Sequence, residues 1–165
     1  MANAIYPLFK QDLLQAGSGV NLASATIKAA LISTVSGTNV TSPYAYNAAD
    51  EFWSSVAATL PADGGQVLAD GVIAVKTLAS TSVSTTAVFS AADVVFSNVP
   101  AFDAAGTGDG ECQAVIIYHD DGSAASTSRL IAYLDNTDGV ITGLPVRPNG
   151  TNINLNWNVS GIFQL

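Results

Sequence analysis

The residues that could perform acid–base or nucleophilic chemistry are few, and their spacing does not favour it. His119 is the only histidine, and two acidic residues, Asp120 and Asp121, follow it at the start of a polar stretch. A serine hydrolase needs an activated serine, but the only glycine-flanked serine, Ser18, lacks the preceding strand and following helix that would expose its hydroxyl group. The sequence therefore predicts a solvated histidine at the end of a hairpin rather than a catalytic triad.

Cys112 is the only cysteine, so the chain can form no internal disulfide and no cysteine cluster for zinc or iron. It opens an apolar, strand-like run, and the neighbouring carboxylate of Glu111 disfavours a thiolate. We predict a small, half-buried structural residue here. Together with the isolated histidine, this predicts that the protein is not an enzyme and has no catalytic residues.

Acidic residues form a second group with possible chemistry. They are Asp109, Glu111, Asp120, Asp121, Asp135 and Asp138. They could bind Ca²⁺ if their loops converged, but residues 135–139 match a calcium loop only loosely, because the distal glutamate is absent. Residues 106–110 are glycine-rich without the lysine of a phosphate loop. We interpret both segments as turns and predict no cofactor and no metal.

Four aromatic residues lie close together in the sequence: Tyr44, Tyr46, Phe52 and Trp53. Such a group could form a platform on which a sugar ring stacks. A spacing of two is also what a strand needs to pack one face against a core. We favour the packing interpretation and keep the sugar platform as its alternative.

Charge and composition exclude several classes of partner. Five basic and thirteen acidic residues give a net charge of −8, which repels a phosphate backbone, so we predict no nucleic-acid partner. The longest apolar run, residues 114–118, is far shorter than the roughly 20 residues of a membrane span. Residues 1–15 lack the order of a signal peptide, and we expect no membrane association.

An N-terminal helix is predicted over residues 5–16. Ile5, Leu8, Phe9 and Leu13 recur at spacings of three and four, and Gly17 follows where the helix should end. We divide the chain into this helical arm, residues 1–19, and a single β-sandwich domain, residues 20–165. The arm is expected to dock on a neighbouring subunit, and the alternative is that its apolar stripe packs on its own domain.

The rest of the chain consists of short apolar runs separated by turn residues. The predicted strands lie at residues 27–32, 66–69, 72–78, 93–99, 112–118, 129–134, 152–159 and 162–165. Asp70 and Gly71 suit a two-residue type I′ hairpin between two of them. This pattern predicts a mainly β fold, an antiparallel β-sandwich of jelly-roll type with a short N-terminal helix.

The clearest alternation lies in residues 152–159. It places Ile153, Leu155, Trp157 and Val159 on one face of a strand and four asparagines on the other. The apolar face is predicted to be core. The asparagine face is either solvated or hydrogen-bonded to a neighbouring subunit, so Asn154 and Asn156 join Ile5, Leu8, Phe9 and Leu13 as candidate interface residues.

Several motifs occur in an order that points to a known family. They are AIYPLFK at residues 4–10, TIKAALI at 26–32, YAYNAADEF at 44–52, ADVVF at 92–96, LIAYL at 130–134 and GLPV at 143–146, followed by Trp157 and Phe163. In this order the chain resembles a family of small structural proteins of tailed-bacteriophage virions. The resemblance spans nearly the whole chain.

The resemblance implies a structural function and no catalytic residues. It implies a capsid decoration or cement protein that stabilises the head from its outer surface, or alternatively a tail-associated or receptor-binding module that binds glycans. The implied partners are the major capsid protein or other virion proteins, and further copies of the chain, with a trimer expected. A surface poor in charge and rich in small residues suits permanent contacts, because such groups lose little on desolvation.

Overall fold

The computed structural model describes residues 3–15, 19–101, 111–135 and 141–165, and these are mainly β. They contain one α-helix, α1 (Pro7–Leu14), and the strands β1 (Ala4–Ile5), β2 (Ile27–Ile32), β3 (Val72–Thr77), β4 (Ser82–Val83), β5 (Val88–Ser90), β6 (Val94–Phe96), β7 (Ala114–His119), β8 (Leu130–Leu134), β9 (Ile141–Thr142), β10 (Ile153–Trp157) and β11 (Phe163–Gln164). The mainly β class and the short N-terminal helix are confirmed.

The described strands form three antiparallel sheets. The largest has the order β1-β8-β7-β2-β3, and two smaller ones have the orders β6-β10-β9 and β11-β5-β4. β6 lies against β3, so the sheets pack in a sandwich-like arrangement. Antiparallel pairing is therefore confirmed. The jelly-roll topology stays a prediction, because a jelly roll places eight strands in two sheets and the described strands form three.

Strand β2 lies inside the large sheet, between β7 and β3, and all six of its residues are buried. Both faces of the sheet are therefore covered. Lys28 of β2 lies opposite Tyr118 of β7, so their side chains share one face. Trp53 covers this face, with its ring centroid 4.1 Å from that of Tyr118. The short 3₁₀ turn Trp53–Ser55 thus helps to cover the sheet.

Strand β10 confirms most of the predicted alternation. Ile153, Leu155 and Trp157 are buried, whereas Asn154 and Asn156 are exposed. The indole N–H of Trp157 donates to the carbonyl of Ala92 at 3.0 Å. The prediction for Val159 was wrong, because β10 ends at Trp157 and the following turn leaves Val159 fully exposed.

The type I′ hairpin predicted at Asp70 and Gly71 was also wrong. Residues Leu68–Asp70 form a 3₁₀ turn, which Gly71 ends with a φ of +83°. Val67 and Val72 form an antiparallel bridge across a turn of four residues rather than two, and the rest of β3 pairs with β2. A Cβ atom on Gly71 would lie 2.8 Å from the carbonyl oxygen of Ser33, so this close approach requires glycine.

The N-terminal segment completes its own domain, which corrects the prediction of a docking arm. Phe9 of α1 and the preceding Tyr6 are fully buried in the core. The backbone N–H of Tyr6 donates to the carbonyl of Ile131 at 3.0 Å, and β1 extends the large sheet beside β8. An eight-residue helix is too short to be stable alone, so it forms on the domain's own sheet. Gly17, the predicted end of the helix, lies outside the described residues.

Candidate docking surface

The candidate interface residues of the N-terminal segment differ in their accessibility. Phe9 is fully buried and offers no surface to a partner. Ile5 and Leu13 are partly buried against the core, and Leu8 is half-buried. The stripe predicted as a docking face is therefore mainly the inward side of α1.

An apolar groove lies between the outer side of α1 and the C-terminal strand. This α1 groove has a volume of about 320 Å³ and is lined by Lys10, Leu13, Leu14, Gln164 and Leu165. The side chain of Leu14 is 88% exposed and that of Leu165 is 48% exposed. Leu14 is thus almost as open as in an unfolded chain.

A second hollow of about 430 Å³ shares Lys10 with the α1 groove. Its lining includes Ile5 of β1 and Phe163 of β11. Both strands lie at the edges of their sheets, and each pairs with a described strand on one side only. Edge strands present unpaired backbone groups that another chain can use. Apolar side chains and open backbone groups therefore meet on this side of the molecule.

Lys10 gives this surface its charge. Elsewhere in the described chain, Lys28 pairs with Asp120, Lys76 with Asp63, and Arg129 with both Asp12 and Glu51. Lys10 forms no ion pair with any described residue. It therefore places a positive charge beside the groove, in a chain whose net charge is strongly negative.

An ion-pair cluster fixes α1 on the domain. Nη2 of Arg129 lies 2.6 Å from Asp12 of α1 and 3.0 Å from Glu51, and its guanidinium lies 4.8 Å from the ring of Phe52. These contacts hold the helix against β8 from the side opposite to its exposed leucine. The α1 groove is therefore built before any partner binds, which lowers the entropic cost of binding.

A buried hydrogen-bond chain reinforces this attachment. The hydroxyl of Tyr44 donates to Asp50 at 2.8 Å, and the hydroxyl of Tyr6 lies 2.9 Å from that of Tyr44. Because Tyr44 uses its proton toward Asp50, it accepts one from Tyr6. Tyr6, the residue before α1, is thus connected to the loop at residues 44–50.

The described acidic residues serve turns and ion pairs. Asp121 accepts hydrogen bonds from Ser128 and from the backbone of Ser123, and Asp120 accepts one from the backbone of Gly122. Among the described residues, no group of three or more His, Cys, Asp or Glu side chains is arranged to hold a metal ion. Asp109 and Asp138 of the predicted acidic set lie outside the described residues, as does the glycine-rich segment 106–110.

The aromatic group confirms the packing interpretation for two of its four members. Trp53 is fully buried, and Tyr44 is nearly so. Phe52 is half-buried beneath the guanidinium of Arg129, and Tyr46 is half-buried between the rings of Tyr6 and Tyr133. The four side chains therefore form no common exposed platform.

His119 and Cys112 lie at opposite ends of the segment that contains β7. His119 ends β7 and is half-buried. Cys112 is fully buried rather than half-buried as predicted. Burial, with a smaller contribution from Glu111, raises the pKa of the Cys112 thiol to about 12. A thiol with this pKa is protonated at neutral pH and is a poor nucleophile.

Alkaline pH is expected to destabilise the protein. Burial is the main cause that raises the pKa of Cys112 and Tyr133 to about 12, and it also raises those of Tyr6, Tyr44 and Tyr118. These groups keep their protons in the folded state but lose them earlier in the unfolded state, so their contribution to stability is complete below about pH 9 and is lost as the pH rises further. Urea unfolding across this range should show a falling free energy, and a constant value would contradict the prediction.

Adjacent leucines at positions 13 and 14 were the signal in the sequence for the α1 groove. Neighbouring residues on a helix point about 100° apart, so Leu13 and Leu14 cannot both face the core. The predicted apolar stripe included Leu13 but not Leu14. Nothing in the local sequence placed Leu165 beside them, because that contact joins opposite ends of the chain.

No model of a known protein family matches the chain, and a search of curated proteins finds no significant match. Within the described residues, no helix is long and apolar enough to cross a lipid bilayer.

Proposed function

We propose that this protein is a structural component of a tailed-bacteriophage virion that decorates the outer surface of the capsid and stabilises the head. The family resemblance of the sequence motifs suggests the particle. The α1 groove is the observation that carries the docking role, because it leaves Leu14 almost fully exposed on a preformed surface. A monomeric protein gains nothing from exposing such a side chain, whereas a docked one gains from covering it.

The partner is a capsid surface with apolar side chains and at least one carboxylate. Covering a leucine side chain stabilises a complex by about 1.5–3 kcal/mol. Lys10 stands beside the groove without an ion-pair partner among the described residues, so a carboxylate of the partner would complement it. The major capsid protein is the partner we propose.

The composition of the surface supports a permanent contact. Only 11% of the residues are charged, so a partner can cover much of this protein without desolvating ions. The outer side of the shell also suits the net charge of −8, whereas packaged DNA on the inner side would repel it.

The Leu14→Glu variant tests this proposal. A carboxylate at the centre of the groove should weaken binding to purified capsids that lack the protein by at least about tenfold, because its burial costs far more than that of leucine. Val159→Glu is the matched control, since Val159 is at least as exposed as Leu14 but does not line the groove. Co-sedimentation with capsids measures both variants.

Equal binding of the wild type and Leu14→Glu would contradict docking through the α1 groove. Circular dichroism should show both variants folded, because each replaced side chain is exposed. Failure of the wild type to bind capsids at all would contradict the capsid role itself.

A tail-associated or receptor-binding module is the alternative, and one hollow favours it. This hollow of about 430 Å³ is lined by Tyr46, Tyr133, Gln113 and Asp135, among others. Aromatic rings beside amide and carboxylate groups are the surroundings in which sugars bind. Binding to polysaccharide of the host surface, lost in Tyr46→Ala and unaffected in Leu14→Glu, would favour this alternative.

A further inference from the structure

Strand β11 and the residues on either side of it border both hollows beside α1. Ile162 and Phe163 line the hollow of about 430 Å³, and Gln164 and Leu165 line the α1 groove. Lys10 of α1 lines both, so the two hollows adjoin. We call these two hollows together the β11 channel.

The backbone of Gln164 points away from its own sheet. The N–H of Leu165 donates to the carbonyl of Ala87 at 3.1 Å, which makes Leu165 a hydrogen-bonded position of the ladder between β11 and β5. Such positions alternate along an antiparallel ladder, so the N–H and C=O of Gln164 face the free edge of β11. Val88, which lies opposite Gln164, uses its own N–H and C=O toward Ser84 on the β4 side. Among the described strands, none pairs with this edge of β11.

A second open edge borders the β11 channel. The N–H of Tyr6 donates to the carbonyl of Ile131, so the preceding Ile5, opposite Ala132, is a position whose backbone groups point away from β8. Ile5 lines the same hollow as Phe163. Backbone donors and acceptors on two strands are therefore open along the channel, and an extended chain is the occupant that can use them.

Lys10 determines which charge the occupant carries. It lines both hollows and forms no ion pair with a described residue. Asp12, the acidic residue of α1, is bound to Arg129 instead. A carboxylate placed beside Lys10 would gain an ion pair, whereas a lysine or arginine would be repelled. The exposed side chain of Leu14 adds an apolar contact next to this charge.

From these observations we propose that the partner docks by adding an extended strand to the free edge of β11. The strand carries an acidic residue beside Lys10 and an apolar residue over Leu14. In this mode of recognition the main-chain hydrogen bonds provide affinity, and the side-chain pockets provide specificity. The inference rests on the proposed function, under which the strand belongs to the major capsid protein. A helix or a flat surface could cover Leu14, but it could not pair with the backbone of Gln164.

The Gln164→Pro variant tests the backbone pairing. Proline is tolerated on an edge strand when the N–H that it lacks faces outward, so the ladder with β5 stays intact. We expect the affinity for purified capsids that lack the protein to fall by roughly tenfold, because a carbonyl of the added strand loses its donor. Gln164→Ala also loses the side-chain hydrogen bond to Thr86 but keeps the backbone N–H, so it should bind like the wild type. Co-sedimentation measures both variants.

Val83→Pro is the matched control at the other edge of the same sheet. The following residue, Ser84, donates its N–H to Val88, so the N–H of Val83 also faces outward. This variant should bind capsids like the wild type. Circular dichroism should show all three variants folded, because none removes a hydrogen bond of the ladder.

Hydrogen exchange gives a second readout that side-chain contacts alone would not change. Binding to capsids should slow the exchange of the Gln164 amide by roughly tenfold or more, because its N–H becomes hydrogen-bonded. The amide of Val83 should exchange at the same rate in the free and bound protein. An unchanged rate at Gln164 would contradict strand addition.

The outcomes separate this inference from the proposed function. If the wild type binds capsids, Leu14→Glu binds weakly and Gln164→Pro binds normally, strand addition is wrong and the capsid role stands. A wild type that does not bind capsids would contradict the proposed function and this inference with it. Sedimentation velocity of the purified protein tests the remaining occupant: a dimer that is lost in Gln164→Pro would overturn the inference, because a second copy would then occupy the edge.

Discussion

Replacing Trp53 with alanine is expected to lower the free energy of unfolding by about 3–5 kcal/mol. Trp53 is fully buried, packs on Tyr118 with the two rings tilted by 30°, and donates its indole N–H to the carbonyl of Thr59 at 2.8 Å. Its removal leaves a cavity over the centre of the large sheet, which the surrounding side chains cannot fill. Urea unfolding followed by far-ultraviolet circular dichroism measures the change.

Trp53→Phe is the matched control. It keeps an aromatic ring against Tyr118 but removes the N–H donor, so we expect a smaller loss of about 1–2 kcal/mol. If Trp53→Ala unfolded at the same urea concentration as the wild type, Trp53 would not cover the sheet, and the packing described for this face would be incorrect.

The second large effect is expected at the ion pair between Lys28 and Asp120. Their charged groups lie 2.6 Å apart, and their side chains are only 9% and 12% exposed. Asp120→Asn keeps the shape of the side chain but leaves the Lys28 ammonium without its counter-charge. Breaking a buried pair in this way costs about 3–5 kcal/mol, and we expect a loss near the lower end because both groups retain some access to water.

A double variant separates the charge from the packing. Lys28→Met/Asp120→Asn should recover most of the stability, because no unpaired charge then remains on the sheet. Lys76→Met serves as the control, since Lys76 pairs with Asp63 at 3.2 Å and both side chains are nearly half exposed. It should cost less than about 1 kcal/mol. Equal losses for Asp120→Asn and Lys76→Met would show that Lys28 is not buried as described.

Local periodicity was sufficient to predict the strands that have a strong pattern. The alternation in β10 gave the core positions Ile153, Leu155 and Trp157, and the mainly apolar run at residues 27–32 gave the strand β2. These predictions depend only on which side of a strand each residue faces, which its own neighbours in sequence determine.

The errors concern contacts between distant segments. Asp70 and Gly71 have the residue types of a hairpin turn, but only Val67 and Val72 pair across it, and the main partner of β3 is β2, some forty residues earlier in the chain. The stripe of α1 showed that the helix needs a partner surface, but not that the surface lies on its own domain, where Arg129, just before β8, binds Asp12. The α1 groove likewise depends on Leu14 meeting Leu165. The local pattern of apolar and polar residues does not show which distant segments of the chain contact each other.

The number of copies in each virion tests the capsid role most directly. A decoration protein repeats with the capsid lattice, whereas a tail component follows the much lower symmetry of the tail. Quantitative mass spectrometry of purified particles, with heads and tails analysed separately, measures this number. We predict hundreds of copies, all with the heads. A count of about six to a few dozen copies, confined to the tail, would contradict the proposal.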